Sequence, residues 1–416
     1  MKLAELFQRF VGSSADLRFT AYDGSSTGPA DAVAVIDVRS PVAMRYLVTA
    51  PNDLGLARAY VTGHLEVQGD LHAALSTLLG TPPPEVSWAE RAEILRGLGS
   101  GVLRRPPLPS LEAPPPSRRG RRHSKARDAA AISHHYDVSN VFYSYVLGPS
   151  MAYTCAVFPR PDATLDEAQT EKFDLVCRKL GLQPGMRLLD VGCGWGGMVR
   201  HAVENYGVTA LGVTLSRQQA EWADKMLSEQ GLTELGEVRF LDYRDVPESG
   251  FDAISSIGLT EHIGMANLPA YFRFLASRLR PGGRLLNHCI TRPEGTGPAR
   301  TGGFIDRYIF PDGELEGVGT IVSAMHDNGF EVRHEENLRE HYAFTLREWA
   351  ANLGRDWDAA VAEVGLAKAR VWRLYLVASQ VGFEVNNVQL HQVLGVRLGP
   401  DRVSGMPLRP NWERLS

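Results

Sequence analysis

The sequence predicts an α/β fold built on a parallel sheet, preceded by a smaller α+β domain. Leu188 to Gly197 reads LLDVGCGWGG, an apolar strand running directly into closely spaced glycines. Two further apolar runs, Val208 to Thr214 (VTALGVT) and Phe251 to Ile257 (FDAISSI), follow at a spacing that suits βα units. Ahead of residue 100 the pattern changes to short helical and alternating segments.

In chain order, residues 1–100 are expected to form the small α+β domain. Leu3, Leu6, Phe7, Phe10 and Val11 recur at helical spacing, so the first segment is an amphipathic helix able to lie on lipid or pack on its own domain, and core packing is the expected use. Ala32 to Val38 alternates as a strand, Asp53 to Val61 and Leu71 to Leu79 read as helices, and Tyr22 to Ser25 (YDGS) as a turn without chemistry. Residues 101–127 (GVLRRPPLPSLEAPPPSRRGRRHSKAR) form a linker, because proline suppresses regular structure and clustered arginines cannot be buried unpaired. The linker is either a solvated spacer or a source of attraction to an anionic bilayer. In the second case Arg104, Arg105, Arg118, Arg119, Arg121, Arg122 and Lys125 would contribute about 1 kcal/mol each. Residues 128–416 then form the main domain, with a helical segment from Thr345 to Val381 in which Trp349, Leu353, Trp357, Val361 and Val364 recur. That stripe suits a core or the wall of an apolar cavity.

The glycine loop is where chemistry is expected. Asp190 ends its strand, and Gly192, Gly194, Gly196 and Gly197 allow positive φ and close approach of a nucleotide-like ligand. Ligands of open α/β sheets bind at the carboxyl ends of the strands. A dinucleotide enzyme would need an acid roughly 20 residues past the glycines, whereas the second strand here ends in TLSRQQ. A glycine pattern alone also fits a purely structural turn, so both readings stay open at this point.

A chain of 416 residues and 44% hydrophobic composition is sized for two to three folded domains. The net charge of −4 argues against nucleic acid as a partner. Cysteines at 155, 177, 193 and 289 form no CxxC pair, so a reduced, cytoplasmic setting is expected, with no metal. No apolar run reaches about 18 residues, so no span is expected, although contact with a membrane surface is allowed.

The loop DVGCGWG followed by the strand end GVTLS resembles class I S-adenosylmethionine-dependent methyltransferases. Further segments extend that likeness: HHYDVSNVFY (134–143), MAYTCAVF (151–158), LDYRD (241–245), IGLTEHIG (257–264), LNHCIT (286–291) and DRYIFPDGEL (306–315). Together they resemble the cyclopropane-fatty-acid synthase family over nearly all of residues 130–396. The first hundred residues resemble the extra domain of the longer, phospholipid-acting members, which the mycolic-acid-modifying relatives lack. The resemblance implies a class I methyltransferase Rossmann-like sheet with helical substrate-cavity insertions. It also implies methylation of a cis double bond in an unsaturated phospholipid acyl chain, peripherally at the inner membrane face.

In that reaction a methyl group adds to an alkene, a carbocation forms, and a proton leaves. Loss of that proton from the new methyl group closes a cyclopropane. The resemblance implies a bicarbonate ion as base, held by Cys155, Glu261, His288, Ile290 and Tyr342. Each has a plainer reading. Cys155 alone would be a buried hydrophobe, Glu261 a helix cap, His288 a satisfied core histidine, and Tyr342 packing. For the cofactor, the resemblance implies Tyr153, Thr154, Asp190, Gly192, Gly194, Thr214, Gln219, Tyr243 and Ile257. Loop amides would face its amino-acid portion, and Tyr243 with Ile257 would flank adenine. Thr260 and Asn287 depart from the family's usual phenylalanine and leucine. They are expected to add polarity beside the cation and could divert the product to a methylene-branched chain. A homodimer is compatible with the family, and a branched product would call for a reductase partner. The alternatives are a methyltransferase for another small molecule and a catalytically inactive lipid-binding protein.

Overall fold

The computed structural model describes residues 2–12, 16–80, 93, 96–113, 139–293, 302–311 and 313–413. The linker basics Arg118, Arg119, Arg121, Arg122 and Lys125, and His134 to Val138 of the HHYDVSNVFY segment, lie outside the described residues.

The chain divides into two compact units that do not follow its linear order. The first comprises residues 1–117, 302–311 and 353–385, and the second residues 118–301, 312–352 and 386–416. The first unit holds a four-stranded sheet of β1 (Leu17–Ala21), β2 (Ser26–Thr27), β3 (Ala34–Val38) and β4 (Leu65–Gly69), ordered β2-β1-β3-β4. The first helix, Leu3–Val11, buries Leu3, Ala4 and Leu6 and stacks Phe7 on Phe19 at 4.5 Å. That half of its apolar face packs on its own unit, while Phe10 stays exposed. The helices Asp53–Val61 and Leu71–Gly80 pack against the helix Leu366–Glu384, although some 300 residues separate them. The stretch before residue 114 is tied down rather than free. Glu112 takes Arg58 at 2.7 Å on both oxygens and Arg307 at 2.6 Å, while Tyr46 donates to the Pro107 carbonyl.

The second unit is organised by a seven-stranded sheet. Its strands are β5 (Arg187–Val191), β6 (Thr209–Thr214), β7 (Gly236–Phe240), β8 (Phe251–Ile257), β9 (Leu279–Thr291), β10 (Glu331–Asn337) and β11 (Gln389–Val396). Their order is β10-β11-β9-β8-β5-β6-β7. β5 to β9 run parallel, and β11 pairs antiparallel with both β9 and β10. The chain leaves β5 toward β6 and β7 and then returns to β8 on the other side. The carboxyl ends of β5 and β8 thus form the topological switch point where such sheets bind ligands.

Period-two alternation gives the sheet two different faces. Leu188, Ile257, Leu286 and Leu394 join the core cluster on one side, and Leu189, Leu285, Cys289 and Val393 join that on the other. The first side is covered by the helix Leu165–Leu180, which starts in a Thr164/Glu167 capping box and ends at Gly181 in left-handed conformation. The single helical segment expected over Thr345–Val381 is three helices: Arg339–Arg355, Trp357–Val364 and Leu366–Glu384. Gly365, at φ +80, makes the second break. Trp349 and Leu353 are fully buried, whereas Trp357, Val361 and Val364 are only half-buried.

Candidate active site

At the switch point, Gly192 and Gly194 adopt φ of +74 and +55, conformations in which a side chain is strained. The amides of Gly192 and Cys193 both donate to the Val213 carbonyl, at 2.9 and 3.0 Å. These two amides fasten the loop to β6. A Cβ on Gly194 would meet nothing within 4 Å, so open space lies beside the turn. Asp190 is fully buried, accepts from Ser255 Oγ at 2.6 Å, and has its carboxyl pushed up to about 6 by burial. At the end of β6, Thr214 Oγ1 donates to Gln219 Oε1 at 2.7 Å, while Ser216 caps the helix Arg217–Glu229. Tyr243 packs edge-on against Tyr271, a core residue of the far side, whereas Ile257 belongs to the core of the near side. The two thus lie on opposite sides of the sheet's carboxyl edge.

The segment Ala152–Phe158 has no regular structure, so side chains from two helices satisfy its backbone. From the helix Leu165–Leu180, Gln169 Nε2 donates to the Thr154 carbonyl at 2.9 Å, and Lys172 Nζ donates to Thr154 Oγ1 at 2.9 Å. From the helix Arg339–Arg355, Thr345 and His341 accept from the amides of Ala156 and Phe158, each at 3.0 Å. Tyr153 is thereby held 5.4 Å from the Trp349 ring and 5.8 Å from Tyr143, and Tyr342 lies 6.1 Å from Trp349. Lys172 is fully buried, and desolvation pulls its ammonium down to about 7.

The five residues expected around a small anion are connected through the main chain. Glu261 Oε1 accepts from the Ile290 amide at 2.7 Å. Ile290 pairs with Leu390, whose carbonyl accepts from Leu338 at 2.8 Å. The Leu338 carbonyl accepts in turn from the Tyr342 amide at 3.1 Å and from the Cys155 thiol at 3.8 Å. His288 lies two residues before Ile290 on β9. Two polar atoms in this cluster, Glu261 Oε2 and His288 Nε2, are buried and have no partner among the described residues. Burial raises the Glu261 carboxyl to about 7. Burial, reinforced by Lys172 and Lys179, holds His288 well below its usual value and hence neutral. Burial also pushes the Cys155 thiol far up, so it is no thiolate nucleophile.

Thr260 and Asn287 do not deliver polarity beside His288. Asn287 precedes His288 on β9 and so points to the opposite face. There its Oδ1 accepts from Thr260 Oγ1 at 2.6 Å and its Nδ2 donates to Cys289 Sγ at 3.3 Å. Lys172, Lys179, Gln392 and Tyr143 carry no role from the sequence alone, although Tyr143 falls in HHYDVSNVFY and Lys172 and Lys179 lie seven residues apart on one helix face. Among the described residues, no group of His, Cys, Asp and Glu could hold a metal, and no helix is long and apolar enough to cross a membrane.

Sheet order, switch point and glycine turn define a class I S-adenosylmethionine-dependent methyltransferase. Residues 123–393 match the model of the mycolic acid cyclopropane synthetase family. The chain is 52% identical to a "probable fatty acid methyltransferase" of Mycobacterium tuberculosis, over 99% of both chains. It is 40% identical to another of that name from Pseudomonas putida, over 99% of this chain and 98% of the other. Among solved structures, the mycolic acid cyclopropane synthase CmaA1 complexed with SAH and CTAB superposes with a TM-score of 0.62 at 35% identity. That match covers 64% of this chain and 98% of the other. The cyclopropane synthase MmaA2 from Mycobacterium tuberculosis gives a TM-score of 0.61 at 34% identity, with the same coverage. The chain belongs to the mycolic acid cyclopropane synthetase family.

Proposed function

We propose that the protein transfers a methyl group from S-adenosylmethionine to the cis double bond of an unsaturated fatty acyl chain carried by membrane phospholipid. The product would be a cyclopropane or a methylene- or methyl-branched chain. The observation that carries this reading is that Glu261 Oε2 and His288 Nε2 are each buried without a partner among the described residues. Buried polar groups are nearly always hydrogen-bonded, so their complement is a small polar species. The bound cofactor supplies an electrophilic methyl group, and a bicarbonate ion would supply the base for the closing proton loss.

Cys155, Glu261, His288, Ile290 and Tyr342 would hold that ion. Tyr153, Thr154, Asp190, Gly192, Gly194, Thr214, Gln219, Tyr243 and Ile257 would hold the cofactor. Neutral His288 can donate to an anion, and Glu261 near 7 can donate while protonated. The rings of Tyr153, Trp349 and Tyr342, packed on one another, would offer π-faces to positive charge developing on the alkene. Relatives named fatty acid methyltransferases support an acyl substrate, and their match over the whole chain includes the first unit. The enzyme would act peripherally at the cytoplasmic membrane face, as a monomer or homodimer, with a reductase partner if the product is methylene-branched.

The test incubates purified full-length protein with methyl-labelled cofactor and vesicles of unsaturated phospholipid, saturated phospholipid or neither. Label in acyl chains of the unsaturated vesicles alone supports the reading, and its absence from them overturns it. Proton NMR of the product separates cyclopropyl from exocyclic vinyl signals.

A further inference from the structure

Behind His288 lies a buried polar chain that the reaction described above does not use. Gln392 faces His288 across the β9–β11 pairing, and its Nε2 lies 3.2 Å from His288 Nδ1. Its other amide atom, Oε1, accepts from Lys179 Nζ at 2.7 Å. Lys179 is completely buried and ion-paired with Glu336. We propose that Lys179 and Gln392 are positioning residues that lock His288 in the neutral tautomer carrying its proton on Nε2.

The argument is one of hydrogen-bond capacity. An ammonium group only donates, so the atom of Gln392 turned toward Lys179 must be its oxygen. The Gln392 NH2 group then faces His288 Nδ1, which must accept. A neutral imidazole that accepts at Nδ1 carries its proton at Nε2, the atom left without a partner among the described residues. Flipping the Gln392 amide would set N–H against an ammonium and an oxygen against the ring nitrogen. Glu336 neutralises Lys179, so the cationic head is held in place without a net buried charge. His288 is thus preset as a donor toward an anion. Its role rests on the proposed bicarbonate-assisted methyl transfer, but its tautomer does not.

Nitrogen-15 NMR of the full-length protein labelled at histidine, with His288→Gln to assign the signal, reads the tautomer directly. The expected result at neutral pH is a protonated Nε2 and a bare Nδ1. A proton on Nδ1, or on both nitrogens, overturns the inference whether or not lipid is methylated. Gln392→Glu keeps the shape and the Lys179 contact but offers only acceptors, and should move the proton to Nδ1. In the labelled-cofactor assay, kcat should then fall about 10- to 100-fold, as for lost orienting partners elsewhere. The KM for S-adenosylmethionine should stay unchanged, and more bicarbonate should be needed for half-maximal rate. An unchanged tautomer in Gln392→Glu would overturn the proposal, as would a flipped tautomer at full rate in an enzyme that methylates lipid.

Discussion

The two faces of strand β9 differ in how they treat buried polarity. On one face Asn287, Thr260 and Cys289 close a hydrogen-bonded cluster in which no polar atom is left over. On the other, His288 keeps its buried Nε2 without a partner among the described residues. An unmade buried hydrogen bond costs about 1 to 3 kcal/mol, so the second face carries a cost that the first avoids. A satisfied polar cluster is architecture, whereas a deliberately unsatisfied one is poised for a ligand.

The largest effect expected from this contrast is on chemistry. His288→Leu should lower methyl transfer to unsaturated phospholipid by about 100-fold or more, measured with labelled cofactor, while cofactor affinity by calorimetry stays unchanged. Full activity in that variant would erase the distinction between the faces.

Next comes the pH dependence of stability. The Glu261 carboxyl rises from an ordinary 4.5 to about 7 in the folded protein. Its stability contribution is therefore complete below about 4.5, declines as pH rises toward 7, and falls no further above it. The span is on the order of 3 kcal/mol. Urea denaturation at a series of pH values should show this decline in the parent and a flatter curve in Glu261→Gln.

On the satisfied face, Asn287→Leu should strand Thr260 and destabilise by about 1 to 3 kcal/mol. Thr260→Val combined with Asn287→Leu should recover much of that loss, and neither variant should change the ring-to-branch ratio of the product. A changed ratio would show that this cluster reaches the reacting carbon after all. The smallest effect is expected from Gly194→Ala, where positive φ costs about 1 kcal/mol and the new methyl enters open space beside the loop. Weaker cofactor binding with little loss of melting temperature would place the ligand there.

The sheet was legible because its signals are local: apolar runs for β5, β6 and β8, and glycines at the turns of positive φ that follow β5. Glu261 draws attention as an acid just past the carboxyl end of β8, whereas His288 rests on motif resemblance, since a lone histidine in an apolar strand announces no chemistry unaided. Gln392 was not found, because its meaning lies in a cross-strand register with His288 that only the folded sheet defines. Lys179 was missed for a similar reason: it looks like one more surface cation until its helix is laid over the sheet. That Asn287 sits on the face opposite His288 was readable from parity alone. Adjacent strand residues point oppositely, so Asn287 and His288 could never share a face. Glu112 was passed over inside a proline-rich stretch whose composition hid a buried ion pair with Arg58.

The first unit is stitched from three separated pieces of chain, and Arg370 and Glu384 of the last piece bind Glu66 and His72 of the first. Excising the first 128 residues to obtain a minimal enzyme would therefore strip the helix Leu366–Glu384 of the helices Asp53–Val61 and Leu71–Gly80 that pack on it, and leave Arg370 and Glu384 without their partners. Such a fragment should clump in solution. Likewise, a protease cut between the two halves should leave them co-eluting until denaturant is added.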